Sequence, residues 1–591
     1  MAAATAAATT DAADAADAAA ADAAEAEGAA EADAAADAPA PAPAPTLGFD
    51  GSSHEALNAA IAMPMSTTVQ LDLPWFCIVH AYYRPRDRRM TVSSARYAHD
   101  PGPVSSLPTE SLLVFSDVHL GSDIQDDGVN KARRSESVDR DLVHLLAHYR
   151  GQKPPADRWR IVIAGDFIDF IGMTVVPEAG AMERELTDEE RRHGVGNTAD
   201  HARLKLARVA RRHADVFAEL AAFVADGHAL SLVHGNHDIE FHWDAVKDDF
   251  RAFLLAHAPG VASEDDQRAA FLERIEFNPW FFYRDGVAYI EHGHQYDPFC
   301  ATEHIMAPLS PLDPRRVARG FCDTLLRFVV RPTRGMKEHG HENVGLGYYL
   351  SFGAQLGLQG MLRLGVDFAK AVAEMFRLRR AHLSDAAKTL RAEHEVLVAK
   401  LAGATRLGLE RLRALLSLQT PPITRTVAGI MRGVLLDRLA VALVAMVTLG
   451  ILAVLGVFHG GINGGTTWAA GGVVLAWILL HVHFSRQRTV DPAEQMVERA
   501  AHLAKLFPAA FVVMGHTHVP AALPAGAATY INVGSWAEEA PETDEPSAPV
   551  YRAARTHLVI HVRNDHAEAL FCTWENDGPQ PCVLPGPTRP G

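Results

Sequence analysis

Five short apolar runs, each ending in a loop of carboxylate, imidazole or amide side chains, limit the fold more than any other feature of the chain. The runs are 112–115, 161–164, 230–233, 287–290 and 511–514, and β-branched residues are frequent in them. The loops read Ser116-Asp117-Val118-His119, Gly165-Asp166-Phe167-Ile168-Asp169, His234-Gly235-Asn236-His237-Asp238, Glu291-His292-Gly293-His294 and Gly515-His516-Thr517-His518. A short run apolar throughout predicts a buried strand. In an open α/β sheet, strand ends converge on one crevice, so residues far apart in sequence can meet there. Carboxylate, imidazole and amide together form a ligand set for hard or borderline divalent metals. No cysteine joins them, which argues against a structural zinc site.

The 591 residues leave room for several domains, and 48% hydrophobic content can fill a sizeable core. Of the net charge of −17, nine units come from Asp11, Asp14, Asp17, Asp22, Glu25, Glu27, Glu31, Asp33 and Asp37, which leaves −8 on the remainder. That balance gives no basic footprint for nucleic acid. The five cysteines (77, 300, 322, 572 and 582) are odd in number and lack CxxC spacing, which suits reduced thiols in the cytosol.

Residues 1–46 form an Ala/Asp/Glu tract that ends in Pro-Ala alternation, a composition expected to stay disordered. The tract has neither the basic start nor the apolar stretch of a signal peptide. Residues 47–109 contain one strand-like run, 75–79, and a basic stretch, 84–89, to which no chemistry is assigned. From 110 to 298, strand and helix alternate. One helix carries Val138, Leu142, Leu145, Leu146 and Tyr149; a second carries Leu206, Val209, His213, Val216, Leu220 and Phe223 and stops at Gly227. Residues 281–283 and 287–290 predict a hairpin.

Between 299 and 489 the pattern becomes helical, with long amphipathic stretches at 358–380 and 386–418. Residues 439–458 and 466–484 then run 20 and 19 residues without a charge, joined by His-Gly-Gly-Ile-Asn-Gly-Gly. These lengths match a transmembrane helical hairpin. Arg425, Arg432 and Arg438 precede it and Arg486 and Arg488 follow it, which places the catalytic pieces on the cytoplasmic face. The competing reading is a helical pair buried in a soluble domain. Residues 490–577 return to helix and strand, and 578–591 form a Pro/Gly-rich end expected to fray.

Taken together, Asp-x-His, Gly-Asp-x-x-Asp, Gly-Asn-His-Asp, His-Gly-His and Gly-His-Thr-His resemble the calcineurin-like metallophosphoesterase superfamily. The resemblance covers about 110–298 and 490–575 and implies a four-layer αββα sandwich, here carrying the long helical insertion. It also implies two divalent metal ions: Asp117, His119 and His518 on the first, Asn236, His292 and His516 on the second, and Asp166 bridging them. Manganese is favoured, with iron, zinc or cobalt also compatible. His292 is favoured over His294, although both fall within reach of the crevice. A water between the ions would attack phosphorus. His237 would act as a catalytic residue on the leaving oxygen, oriented by Asp169. Asp238 is assigned to loop backbone donors, and His234 to packing. A second Glu-His-Gly-His string, at 338–341, follows no strand and reads as solvated loop. The opening Ser-Asp-Val-His-Leu-Gly resembles the UDP-2,3-diacylglucosamine diphosphatase branch, which carries arginine where this chain has His237.

The expected function is metal-dependent hydrolysis of a phosphoester or pyrophosphate bond at the cytoplasmic membrane face, on a phosphorylated small molecule or a lipid-linked substrate. The alternative is a catalytically silent scaffold on the same fold. No Asp, Glu, Lys or Arg lies within either apolar span, which argues against a transporter.

Overall fold

The computed structural model describes residues 109–582 apart from short internal stretches, the longest being 127–135, 337–351 and 538–554. The N-terminal tract, the segment up to 108 and the 338–341 repeat lie outside the described residues.

The five apolar runs are strands: β1 (Glu110–Phe115), β2 (Arg158–Ala164), β3 (Ala229–Val233), β6 (Gly286–Glu291) and β9 (Ala509–Met514). They fall in two sheets. One has the order β14-β13-β12-β1-β2-β3-β4, adding β4 (Ile275–Asn278), β12 (Thr556–Arg563), β13 (His566–Glu575) and β14 (Gly578–Pro581). The other has the order β10-β11-β9-β6-β5, adding β5 (Phe281–Arg284), β10 (Ala521–Ala525) and β11 (Ala528–Asn532). The motif-bearing strands lie side by side and parallel, β1 with β2 and β2 with β3 in the first sheet and β6 with β9 in the second. Their carboxyl ends therefore open towards the same side within each sheet. The expected hairpins, β5–β6 and β12–β13, are present.

Alternation along each strand explains why four of the runs are made of aliphatic, aromatic and methionine side chains throughout, with Ser231 the exception in the third. Leu113 and Phe115 of β1, with Ile161 and Ile163 of β2, pack on helices that include α1 (Glu136–Arg150) and the segment 199–225. Leu112, Val114, Val162 and Ala164 point the other way and meet Ala288, Ile290, Phe511 and Val513 of the second sheet. On the outer face of that sheet, Tyr289, Val512 and Met514 pack against Met496, Ala500 and Leu503. The order of layers is thus helices, sheet, sheet, helices. Strands covered on both faces must be apolar on both, and each buried Val or Ile contributes about 1.5–3 kcal/mol.

The second expected helix is two: α2 (Ala199–Arg212) and α3 (Ala214–Ala225), broken at His213. The apolar spacing continues across the break, but His213 leaves helical geometry, at φ −113° and ψ 38°. Its imidazole is fully committed. Nδ1 lies 2.5 Å from Asp139 Oδ2, and Nε2 accepts from Gly121 N–H at 3.1 Å. Tertiary hydrogen bonds here override local periodicity. The 386–418 stretch is likewise divided, at left-handed Arg406 and Gly408.

The insertion is largely helical, with one two-stranded ribbon, β7 (Leu309–Ser310) and β8 (Asp313–Val317). Arginines just beyond the ribbon fasten it to the first half of the α/β domain. Arg327 donates to Glu189 Oε1 at 2.7 Å and to Gly194 O at 2.8 Å, and Arg319 reaches Glu189 at 2.8 Å. Further along, Thr420 N–H donates to Gln295 O and Ile423 N–H to Pro298 O.

Two helices, Leu436–Phe458 and Gly464–Arg488, are long and apolar enough to cross a membrane, the second over Gly464–Phe484. Only 6% and 0% of their most apolar windows are buried within the protein, so neither is a core helix of this chain. Leu443, Val447, Ile451, Trp468 and Leu479 lie exposed on them.

Candidate metal centre

Three of the motif loops leave their strands through left-handed backbone. Asp117, His119, Asp166, His516 and His518 all have positive φ, between 50° and 69°. They make up five of the nine non-glycine residues with positive φ among the described residues. Side chains disfavour this region, and such strain gathers at functional sites. The loops are also tied to one another: His119 N–H donates to Asp166 O at 2.9 Å, and Trp536 N–H to Asp117 O at 3.1 Å.

Two glycines permit the close approach. Gly165, at φ +89°, faces the His292 ring, and an added Cβ would lie 2.5 Å from it. A Cβ on Gly235 would collide with Asp166 Oδ1 and the Asp166 backbone nitrogen. Gly235→Ala therefore displaces Asp166 while leaving the sheets intact. The expected result is weaker divalent-ion binding by titration calorimetry, with an unchanged far-UV spectrum.

The side chains that converge are those the motifs supply. Asp117, His119 and His518 bring ligand atoms within 4.8 Å of one another, as do Asp117, Asp166 and His292. Asp117 Oδ1 lies 3.1 Å from His518 Nε2 and 3.8 Å from His119 Nε2. Asp166 Oδ2 lies 3.2 Å from His292 Nε2 and 3.7 Å from His119 Nε2. Asp166 thus stands between the two groups. Asn236 joins the second, its Oδ1 3.1 Å from His292 Nε2.

His292 rather than His294 faces these carboxylates. Its Nδ1 sits 2.9 Å from the Ala164 carbonyl, an acceptor only, so Nδ1 carries a proton and Nε2 is the ring atom turned to the site. His294 is turned to Gln295, 3.0 Å away.

His516 departs from the expected grouping. Its ring is 5.2 Å from that of His292, but its Nε2 pairs with Asp297 Oδ2 at 3.1 Å, in a third group that includes Cys300. Asp297 is not among the sequence candidates, and Cys300 is read there only as a reduced thiol outside the five motif loops. Asp297 follows the His-Gly-His loop by three residues and looks there like an ordinary turn former before proline.

The electrostatics favour a cation. Asp117, Asp166 and Asp169 are almost fully buried and close together. Burial alone would raise their pKa values, yet the surrounding imidazoles hold all three below the usual carboxylate range. Carboxylates crowded in a dry pocket, with imidazole nitrogens at ligand spacing, could hold a divalent metal ion.

His237 lies beside the cluster. Its Nδ1 is 2.7 Å from Asp169 Oδ1, and its backbone N–H donates to Asp166 Oδ1 at 2.8 Å. Burial pushes the imidazole pKa down, but the Asp169 and Asp166 carboxylates outweigh it and raise it to about 9. Asp169 is itself held by Gly172 N–H at 2.6 Å. Asp238 accepts from Gly235 N–H and Phe167 N–H, and His234 is buried against Phe241.

Compared with known families and curated proteins, the chain matches no family model and no curated sequence.

Proposed function

We propose that this chain is a divalent-metal-dependent phosphoesterase with the calcineurin-like metallophosphoesterase architecture, held at the cytoplasmic face of a membrane by the hairpin of its insertion. The observation that carries the reading is the meeting of Asp117, His119 and His518 with Asp166 and His292 at ligand spacing, from four strand ends.

Asp117, His119 and His518 would hold one ion; Asn236 and His292 would hold a second, with the His516 ring 5.2 Å from that of His292; Asp166 would serve both. When bound, the ions supply Lewis acidity to the phosphoryl oxygens and acidify the attacking water. His237 serves the other end of the reaction. With Nδ1 turned to Asp169, its Nε2 presents a proton to the departing oxygen. Asp169 fixes the tautomer and offsets the positive charge of the ring. Bond cleavage then leaves a phosphate product and a neutral alcohol.

The exposed apolar faces of Leu436–Phe458 and Gly464–Phe484 support membrane insertion, with a lipid-linked substrate within reach. The arginines before and after the hairpin favour the cytoplasmic side for both ends.

The test is release of p-nitrophenol from mono- and bis-p-nitrophenyl phosphate by the full chain, purified in detergent, before and after removal of divalent ions. The expected result is turnover that disappears on chelation and returns with Mn²⁺. In parallel, the chain should stay with membranes through alkaline carbonate washing. Turnover indifferent to chelation would overturn the metal reading, and release by carbonate would overturn the membrane reading.

A further inference from the structure

The helix Gly357–Ala381 of the insertion is apolar on two sides, and only one of them is covered among the described residues. Leu364, Ala371 and Met375 pack with Phe321, Leu326, Ile430 and Val434 in a core of their own. On the other side Leu358, Met361, Leu362 and Val366 are 70%, 42%, 62% and 56% exposed. Exposed Gly365, Ala369 and Ala373 continue that side, so none of these seven positions carries a charge. With 3.6 residues per turn they fall within an arc of about 140° and run about 22 Å along the axis.

The helix does not lack charges; it confines them. Arg363, Asp367, Lys370, Glu374 and Arg377 recur at alternating four- and three-residue spacing, which makes a single stripe between the two apolar sides. Within the stripe Lys370 pairs with Asp367 at 2.6 Å and Arg377 with Glu374 at 3.2 Å. The solvent face of a soluble helix is polar, whereas a contiguous apolar face marks an interaction surface.

The position of the helix says what covers that face. The core beneath it includes Ile430 of the helix Val427–Gly433 and, at its edge, Leu436, where the first apolar span begins. The open face thus belongs to a helix packed on the root of the hairpin. Its charged stripe keeps it from spanning a bilayer. Five bases, Arg363, Lys370, Arg377, Arg379 and Arg380, stand against two acids, Asp367 and Glu374, and Arg432 and Arg438 lie at the hairpin root. Cations beside an apolar face suit a helix lying among the headgroups of an anionic leaflet.

Resting on the membrane reading above, we infer that Gly357–Ala381 is a second membrane contact, lying along the bilayer surface with Leu358, Met361, Leu362 and Val366 among the acyl chains. Phe299 and Leu326 of the core beneath it also line the cleft beside Asn236 and His237. The helix therefore connects the bilayer surface to a wall of that cleft. Two contacts set an orientation of the catalytic domain on the membrane that a hairpin tether alone does not.

The test reconstitutes the full chain in vesicles of phosphatidylcholine and phosphatidylglycerol that include a phosphatidylcholine with a photoactivatable diazirine on its acyl chain. Labelled residues are mapped by mass spectrometry. The expected result is label on the hairpin and on the exposed side of the helix between Leu358 and Ala373. Leu362→Glu should lower labelling of the helix by about tenfold or more and leave that of the hairpin. Label confined to the hairpin, or a helix labelled equally in wild type and variant, overturns the inference and leaves the membrane reading in place. A cross-link between the helices of two copies in place of the lipid adduct assigns the face to a second copy and overturns it as well. Absence of label from hairpin and helix alike overturns the membrane reading itself. If Leu362→Glu does not fold, the wild-type map decides alone.

Discussion

Asp166→Asn is expected to lower kcat/KM by about 10³-fold or more, roughly 4 kcal/mol of transition-state stabilisation, while the folded chain persists. The size of the effect follows from position. Asp166 Oδ2 lies 3.2 Å from His292 Nε2 and 3.7 Å from His119 Nε2, so its carboxylate, beside that of Asp117, is placed to serve both ligand groups. Asparagine keeps the shape, and its Oδ1 can still accept the His237 N–H that Asp166 Oδ1 accepts at 2.8 Å. What it removes is the negative charge. A neutral amide cannot offset the repulsion of two neighbouring cations, so divalent-ion content should fall with activity. Ion content by mass spectrometry beside the steady-state assay checks this, with circular dichroism to confirm folding. Wild-type activity in the variant would show that Asp166 is not part of the site.

The second large effect belongs to His237. His237→Ala should reduce turnover of alkyl phosphates by about 10²- to 10⁴-fold, the range for loss of a positioned proton donor. Nitrophenolate departs without a proton, so the same variant should lose far less on p-nitrophenyl phosphate. Asp169 acts through the ring and not on the substrate; its carboxylate sits 2.7 Å from His237 Nδ1. Asp169→Asn should show the same leaving-group pattern at smaller amplitude. The double variant should be no worse than His237→Ala alone, because the two side chains work as a unit. Losses that are equal on alkyl and nitrophenyl substrates would place His237 in phosphoryl binding instead.

Much of this architecture is legible because it is governed by short-range rules. The runs at 112–115 and 161–164 are apolar throughout since each strand is covered on both faces, and period and length reveal that without knowledge of the partners. The ligand candidates follow directly from those strands. What escapes is set by distant partners. The break at His213 depends on Asp139 and Gly121, and the apolar spacing runs through it undisturbed. Asp297 acquires its place only because His516, far along the chain, comes within 3.1 Å. Local pattern reports burial and strand ends well, and reports poorly on groups whose partners arrive from elsewhere.

The central claim, that strand ends from both sheets assemble a two-ion centre, is tested most directly by anomalous diffraction at the manganese edge from crystals grown with Mn²⁺. The account predicts a pair of peaks, one among Asp117, His119 and His518 and one beside Asn236 and His292, with Asp166 between them. An anomalous map without peaks at these side chains, or with manganese bound only elsewhere, would contradict it.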